Sequence, residues 1–195
     1  PEHVADALWA TFTHASTWGR MAAVDRQVLA DLTAIPDVAR TLKQRILSAT
    51  EGPATTVFSQ ISRSPVLDPW LDEIAQNARQ PAVRAKACRF LLERRVVWVA
   101  ERRWKWTELK WCKGRFEPVF DERPLTGPDD FLAQLQRASL DASAMVRRVA
   151  AELLIQHLEA AGEQAVTLAE RLAADRFPSV AERGRFALER LGRSS

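Results

Sequence analysis

One pattern narrows what this chain can fold into more than any other. Apolar residues recur with a helical period of about 3.6, in short blocks separated by prolines and polar turns. Val4, Leu8 and Phe12 form the first stripe, followed by Met21, Val24, Val28 and Leu32, then Val38, Leu42 and Ile46. Leu67, Trp70, Leu71, Ile74 and Ala78 form another, followed by Val83, Ala87, Phe90 and Leu91. Val146, Val149, Ala150, Leu153, Leu154 and Leu158 continue the series, then Leu168, Ala169, Leu172 and Ala173, then Val180, Gly184, Ala187, Leu188 and Leu191. Gly184 is small enough to admit a close helix neighbour. Pro36, Pro53, Pro69, Pro81 and Pro178 fall where helices are expected to begin, the one place in a helix that tolerates proline. Ser143 and Ser179 stand near helix starts and are suited to capping. Short connections predict antiparallel neighbours.

The blocks also repeat. Val146-Arg147 and Val180-Ala181 both open helices, 34 residues apart, and Asp141 and Asp175 each stand five residues ahead of that valine. Val83-Arg84 has the same form 63 residues before Val146, and Pro36-Asp37-Val38-Ala39-Arg40 is a fainter copy. Ala78 stands where the earlier copy would carry the aspartate, and Ala181 where the last would carry the arginine. A turn, a valine–arginine pair opening the second helix, then small and leucine positions: this pattern resembles the HEAT family of helical repeats. The resemblance implies an all-α fold, a right-handed α-solenoid of antiparallel helix pairs with one Trp-rich inserted loop or hairpin. It implies one domain over 1–195, with pairs clearest at 67–99, 128–160 and 162–192 and the insertion at 100–127. It also implies a structural role for Asp141, which would receive backbone N–H groups at the helix start and pair with Arg147.

The insertion is the odd segment. Trp104 and Trp106 alternate with basic residues, while Gly114, Pro118 and Pro124 argue against a long helix, so a short hairpin or ordered loop is expected. The formal charge of the 195-residue chain is +3, but residues 94–115 hold eight Arg or Lys against Glu101 and Glu108, which is +6 and leaves −3 elsewhere. Arg102, Arg103, Trp104, Lys105, Trp106, Lys110, Trp111, Lys113 and Arg115 are therefore the candidate binding residues. Three readings are open. Rings interleaved with cations can stack bases and neutralise phosphates. Trp98, Trp104, Trp106, Trp111, Phe116 and Phe120 can instead close into a small satellite core edged by Arg and Lys, which the usual burial of tryptophan favours. Exposed Trp and Arg can also anchor a protein interface.

Familiar catalytic signatures do not occur. There is no phosphate-binding glycine loop, and His3, His14 and His157 lack paired metal-ligand spacing, so no cofactor or metal is expected. His157 lies on an apolar stripe and reads as a core or boundary residue. Cys88 reads as a small buried hydrophobe, and Cys112 as a thiol beside Lys110 and Lys113 without a neighbouring histidine. Asp129 and Asp130 suit a helix start. Asp121 and Glu122 are the acids nearest the tryptophans. Composition is that of a globular domain, 47% hydrophobic and 27% charged, and no apolar run is long enough to span a bilayer. Two cysteines and no leader after Pro1 give the expectation of a reducing, cytoplasmic setting. The expected function is a non-enzymatic scaffold that binds a macromolecule, protein first, through a concave face and the insertion. The alternative is nucleic-acid binding through 94–115; HEAT-like DNA glycosylases belong to this broader class, but their motif cannot be matched position by position.

Overall fold

The computed structural model describes residues 1–195 apart from 14–22, 51, 109–110, 127–129 and 194–195. The fold is mostly helical with one two-stranded antiparallel sheet. The N-terminal helices are α1 (Glu2–Thr13), α2 (Ala23–Ala34), α3 (Pro36–Ser48) and α4 (Ala54–Ile61). A 3-10 turn over Pro65–Trp70 leads into α5 (Leu71–Asn77) and α6 (Pro81–Glu93). Strands β1 (Arg95–Glu108) and β2 (Lys113–Pro124) follow. The chain then returns to helices α7 (Phe131–Ser139), α8 (Ala144–Gln156), α9 (Leu158–Ala161), α10 (Gln164–Ala173) and α11 (Pro178–Arg193).

Most of the stripes form the core; the second is the exception, with Val28 on α2 half-exposed and Leu32 only partly buried. Leu8, Val38, Leu42, Ile46, Leu67, Leu71, Ile74, Val83, Leu153, Leu154, Leu168 and Val180 are all buried in one continuous cluster. Met21 lies outside the described residues. Proline placement follows its chemistry with two refinements. Pro36 and Pro81 begin their helices and Pro178 begins α11, but Pro53 precedes α4 and Pro69 sits inside the 3-10 turn ahead of α5. Ser143 caps α8 by accepting from the Met145 N–H at 3.2 Å, whereas Ser179 lies inside the first turn of α11. Helices α6, α8 and α11, the three that carry the valine motif, lie side by side, and each packs on the helix of its own pair: α5, α7 and α10. Gly184 allows α11 to lie against the end of α10: a Cβ there would collide with backbone atoms of Leu172 and Ala173.

The expected Asp141–Arg147 pair is not formed. Asp141 pairs with Arg84, whose Nε and Nη2 each donate to its carboxylate at 2.9 Å, and Arg147 pairs with Asp175 through Nε and Nη2 at 2.5 and 3.0 Å. The geometry of the guanidinium explains the correction. Nη1 of each arginine is used on its own turn, Arg147 donating to the Asp141 carbonyl at 2.7 Å and Arg84 to the Ala78 carbonyl at 2.8 Å. The remaining edge is a fork that matches a carboxylate, and it points to the next turn. Each aspartate also receives the N–H two residues on, from Ser143 at 2.7 Å and Phe177 at 2.9 Å. The ladder thus runs from Arg84 to Asp175, and Ala78 and Ala181 occupy the positions that would extend it. Arg147 holds the Asp175 carboxyl below the ordinary aspartate range.

The pair expected over 67–99 ends early. Arg94 adopts a left-handed conformation at φ 56° that stops α6, and the strand starts at Arg95. No helix among the described residues is long and apolar enough to cross a membrane.

Candidate functional site

Two-residue alternation decides what the hairpin displays. Its register pairs Trp104 with Phe116, Trp106 with Gly114 and Arg102 with Pro118, while Lys105 opposes Arg115 and Arg103 opposes Glu117. Bulges sit between Val99 and Glu101 and between Trp106 and Glu108. Side chains of successive residues leave opposite faces, so Val99, Arg102, Trp104, Trp106, Phe116, Pro118 and Phe120 share one face. Glu101, Arg103, Lys105, Lys113, Arg115 and Glu117 share the other.

The aromatic face is open to solvent. Trp104 is 41% exposed, Trp106 53%, Phe116 62% and Phe120 61%. The Trp104 ring meets Trp106 edge-on at 5.5 Å and Phe116 at 5.0 Å. Gly114 leaves room for it: a Cβ at that position would run into the Trp104 indole. The satellite core expected from these aromatics is therefore not formed. A two-stranded ribbon has no second layer to cover its face, and of the six rings Trp98 alone packs against the helical core. Trp111 is exposed near the tip, and Cys112 beside it takes φ 50°.

The charged face is largely self-neutralised. Arg103 meets Glu101 at 2.5 Å, Lys105 meets Glu117 at 3.2 Å, Arg115 meets Glu117 at 2.8 Å and Lys113 meets Glu108 at 3.9 Å. The two cations hold the Glu117 carboxyl below its ordinary value, hydrogen bonding from Arg115 being the larger cause. The +6 counted over 94–115 stops two residues short of Glu117, the acid that the register folds back onto it. Arg102 differs: it lies on the aromatic face and, among the described residues, meets no carboxylate. Lys110 lies outside the described residues.

An anchor that the sequence did not announce fixes the hairpin to the body. Arg123 grips Asp68 through Nη1 at 2.8 Å and Nη2 at 2.6 Å, and donates to the carbonyls of Ser62, Arg63 and Ser64. Val96 and Leu125 are buried beside it, and the Leu125 N–H donates to the Arg94 carbonyl at 2.9 Å. Arg123 reads as one cation among many until its long-range partner is known.

The other singled-out residues keep structural surroundings. Glu122 pairs with Arg95 at 2.8 Å, and Asp121 accepts the Glu122 N–H and stands opposite Trp98, so neither is brought to Trp104 or Trp106. Asp130 directly precedes α7, and Asp129 and His14 lie outside the described residues. His157 is exposed at the α8–α9 junction against Phe131, not in the core. Cys88 is buried at the base of a cleft of about 150 Å³ beside Gln134, Arg137 and Asp141, and burial pushes its thiol up to about 12. Such a thiol is a poor nucleophile. Glu152 on α8 gathers Arg89 of α6, Arg148 and Arg183 of α11 within 2.5–3.3 Å, joining the three parallel-placed helices on one side. Among the described residues no three His, Cys, Asp or Glu side chains gather as a metal ion would require. Compared with family models, curated proteins and solved structures, the chain matches none.

Proposed function

We propose that this chain is a HEAT-like, right-handed α-solenoid that binds another protein, with the hairpin's aromatic face as the main contact and the concave row of α6, α8 and α11 beside it. The Arg84-to-Asp175 ladder and the side-by-side motif helices support the stacking of repeats. The observation that carries the binding reading is the separation of the hairpin's faces. Rings stand exposed on one side, while four cations on the other are each against a glutamate. Nucleic-acid grooves line rings and several free cations along the same surface, whereas here Arg102 alone, among the described residues, is an unpaired cation on the ring face. Protein interfaces use exposed aromatic and arginine anchors with few other charges at the centre, which is the composition here. A reducing cytoplasmic setting fits this reading, with Cys88 and Cys112 as free thiols.

The test has two arms. A photo-crosslinking residue at Phe116 should capture a protein from native lysate, and one at the exposed Val166 of α10 should not. Labelled single- and double-stranded DNA and RNA should fail to bind at low salt. Tight binding with a log–log salt slope of about −0.9 per phosphate, flattened by replacing Arg103 and Lys105, would overturn the protein reading in favour of nucleic acid.

A further inference from the structure

We infer that the outer edge of β1 accepts an extended, acidic segment of a partner protein as a third strand, which covers the aromatic face and supplies a carboxylate to Arg102. The inference rests on the protein-binding reading above and names the chemistry of the partner.

The two edges of the hairpin are not equivalent. Pro118 has no N–H and stands opposite Arg102, so this pair is of the type that is not hydrogen-bonded across the hairpin. The Leu125 N–H to Arg94 carbonyl bond places the Arg95–Pro124 pair in the same class and confirms the alternation at the root. It follows that Arg102, Trp104 and Trp106 direct their backbone N–H and C=O groups outward from β1. On β2 the matching outward positions include Pro118, which lacks a donor and blunts that edge. Between the two bulges β1 carries no proline and runs regularly from Glu101 to Trp106. Beyond its root, where Val96 and Trp98 pack on the helical core, the ribbon has one open edge and one bare aromatic face, with no third strand or covering layer among the described residues.

The same residues choose the occupant. Arg102, Trp104 and Trp106 send their side chains to the aromatic face, so an added strand places alternate residues over the indoles and next to the guanidinium. Covering Arg102 without a counter-charge strips it of water at a cost, so the segment must bring an acid there and apolar residues beside it. A second copy pairing β1 with β1 cannot supply that acid. On this face β1 carries Arg95, Val97, Val99, Arg102, Trp104 and Trp106, with no carboxylate among them.

The experiment selects peptides of about ten residues from a random displayed library on the full chain, then measures their affinity by fluorescence polarisation. Enriched peptides should alternate apolar residues around an Asp or Glu. N-methylation at alternate positions of one parity should weaken binding roughly tenfold and at the other parity leave it unchanged, because an added strand turns every second N–H toward β1. Arg102→Gln should weaken binding roughly fivefold with an unchanged circular dichroism spectrum. Peptides that depend on Trp106 but tolerate N-methylation at both parities, or ignore Arg102→Gln, would overturn strand addition and leave the protein-binding reading standing. Concentration-dependent dimerisation through β1 in the absence of peptide would overturn it in favour of a second copy. Nucleic-acid binding at the hairpin with no peptide enriched would remove both readings.

Discussion

The helical body from α7 to α11 and the hairpin of β1 and β2, about half its length, spend their large side chains in opposite ways. In the body Leu135, Leu153, Leu154, Leu168 and Leu172 are closed off from solvent, and arginines bridge turns that are distant in sequence. In the hairpin the large rings stand in water and arginines meet glutamates within the ribbon itself. The difference is one of layers. In the body the helices cover one another's apolar faces, whereas a two-stranded ribbon has one layer and leaves its face for something else. Stability and surface chemistry are therefore held in separate places, and substitutions should divide along the same line.

The largest contrast should come from truncation. Leu153→Ala should lower stability by roughly 2–5 kcal/mol, since Leu153 is fully buried. Trp106→Ala should change the unfolding free energy measured in urea by less than about 0.5 kcal/mol, as surface substitutions do. A large destabilisation by Trp106→Ala would mean that the hairpin is part of the folding core. Acrylamide should also quench the tryptophan emission partly, with the loss of Trp106 removing an accessible component.

The ladder gives the next effect. Asp141→Ala should cost roughly 2–4 kcal/mol, because it leaves the poorly exposed Arg84 without its carboxylate. A double-mutant cycle should assign a coupling of roughly 0.5–3 kcal/mol to Asp141 with Arg84, and a smaller one to the Asp141 and Arg147 side chains. The reverse result would restore pairing within one repeat. Exposed pairs such as Lys105–Glu117 should couple far more weakly than the ladder pairs do.

Glycine offers the same chemical change in both regions. Gly184→Ala should cost roughly 1–3 kcal/mol, because backbone of Leu172 and Ala173 must move. Gly114→Ala displaces an exposed indole side chain, although the Lys105 carbonyl also lies 2.8 Å from the new Cβ position. It should cost less than Gly184→Ala while shifting the Trp104 ring resonances. Equal costs in thermal melts would show that the ribbon is as tightly packed as the body.

The smallest effect is in acid. The Asp175 carboxyl is depressed below its unfolded value by Arg147, so its contribution is present above the ordinary aspartate range and fades as pH falls through the lower, folded value. Wild type should lose stability below about pH 4, and Asp175→Asn should remove part of that slope while lowering stability at neutral pH. An identical slope in the variant would show that other carboxylates carry the acid sensitivity.

Helices, their buried stripes, the close approach at Gly184 and the break in the pattern after α6 were legible in the sequence, because each depends on residues within a few positions of one another. Local sterics and a 3.6 or 2.0 period act over that range. The alternation of Trp104 and Trp106 with Arg103 and Lys105 already held the separation of the hairpin's faces, although charge counting along the segment concealed it. Which aspartate each arginine takes was decided by the tertiary structure. Arg84 lies 57 residues from Asp141, and Arg123 lies 55 from Asp68, so no local rule chooses these partners. Exposure of the aromatic face was decided there too, since burial depends on whether a second layer arrives, and that layer must come from elsewhere in the chain or from another molecule.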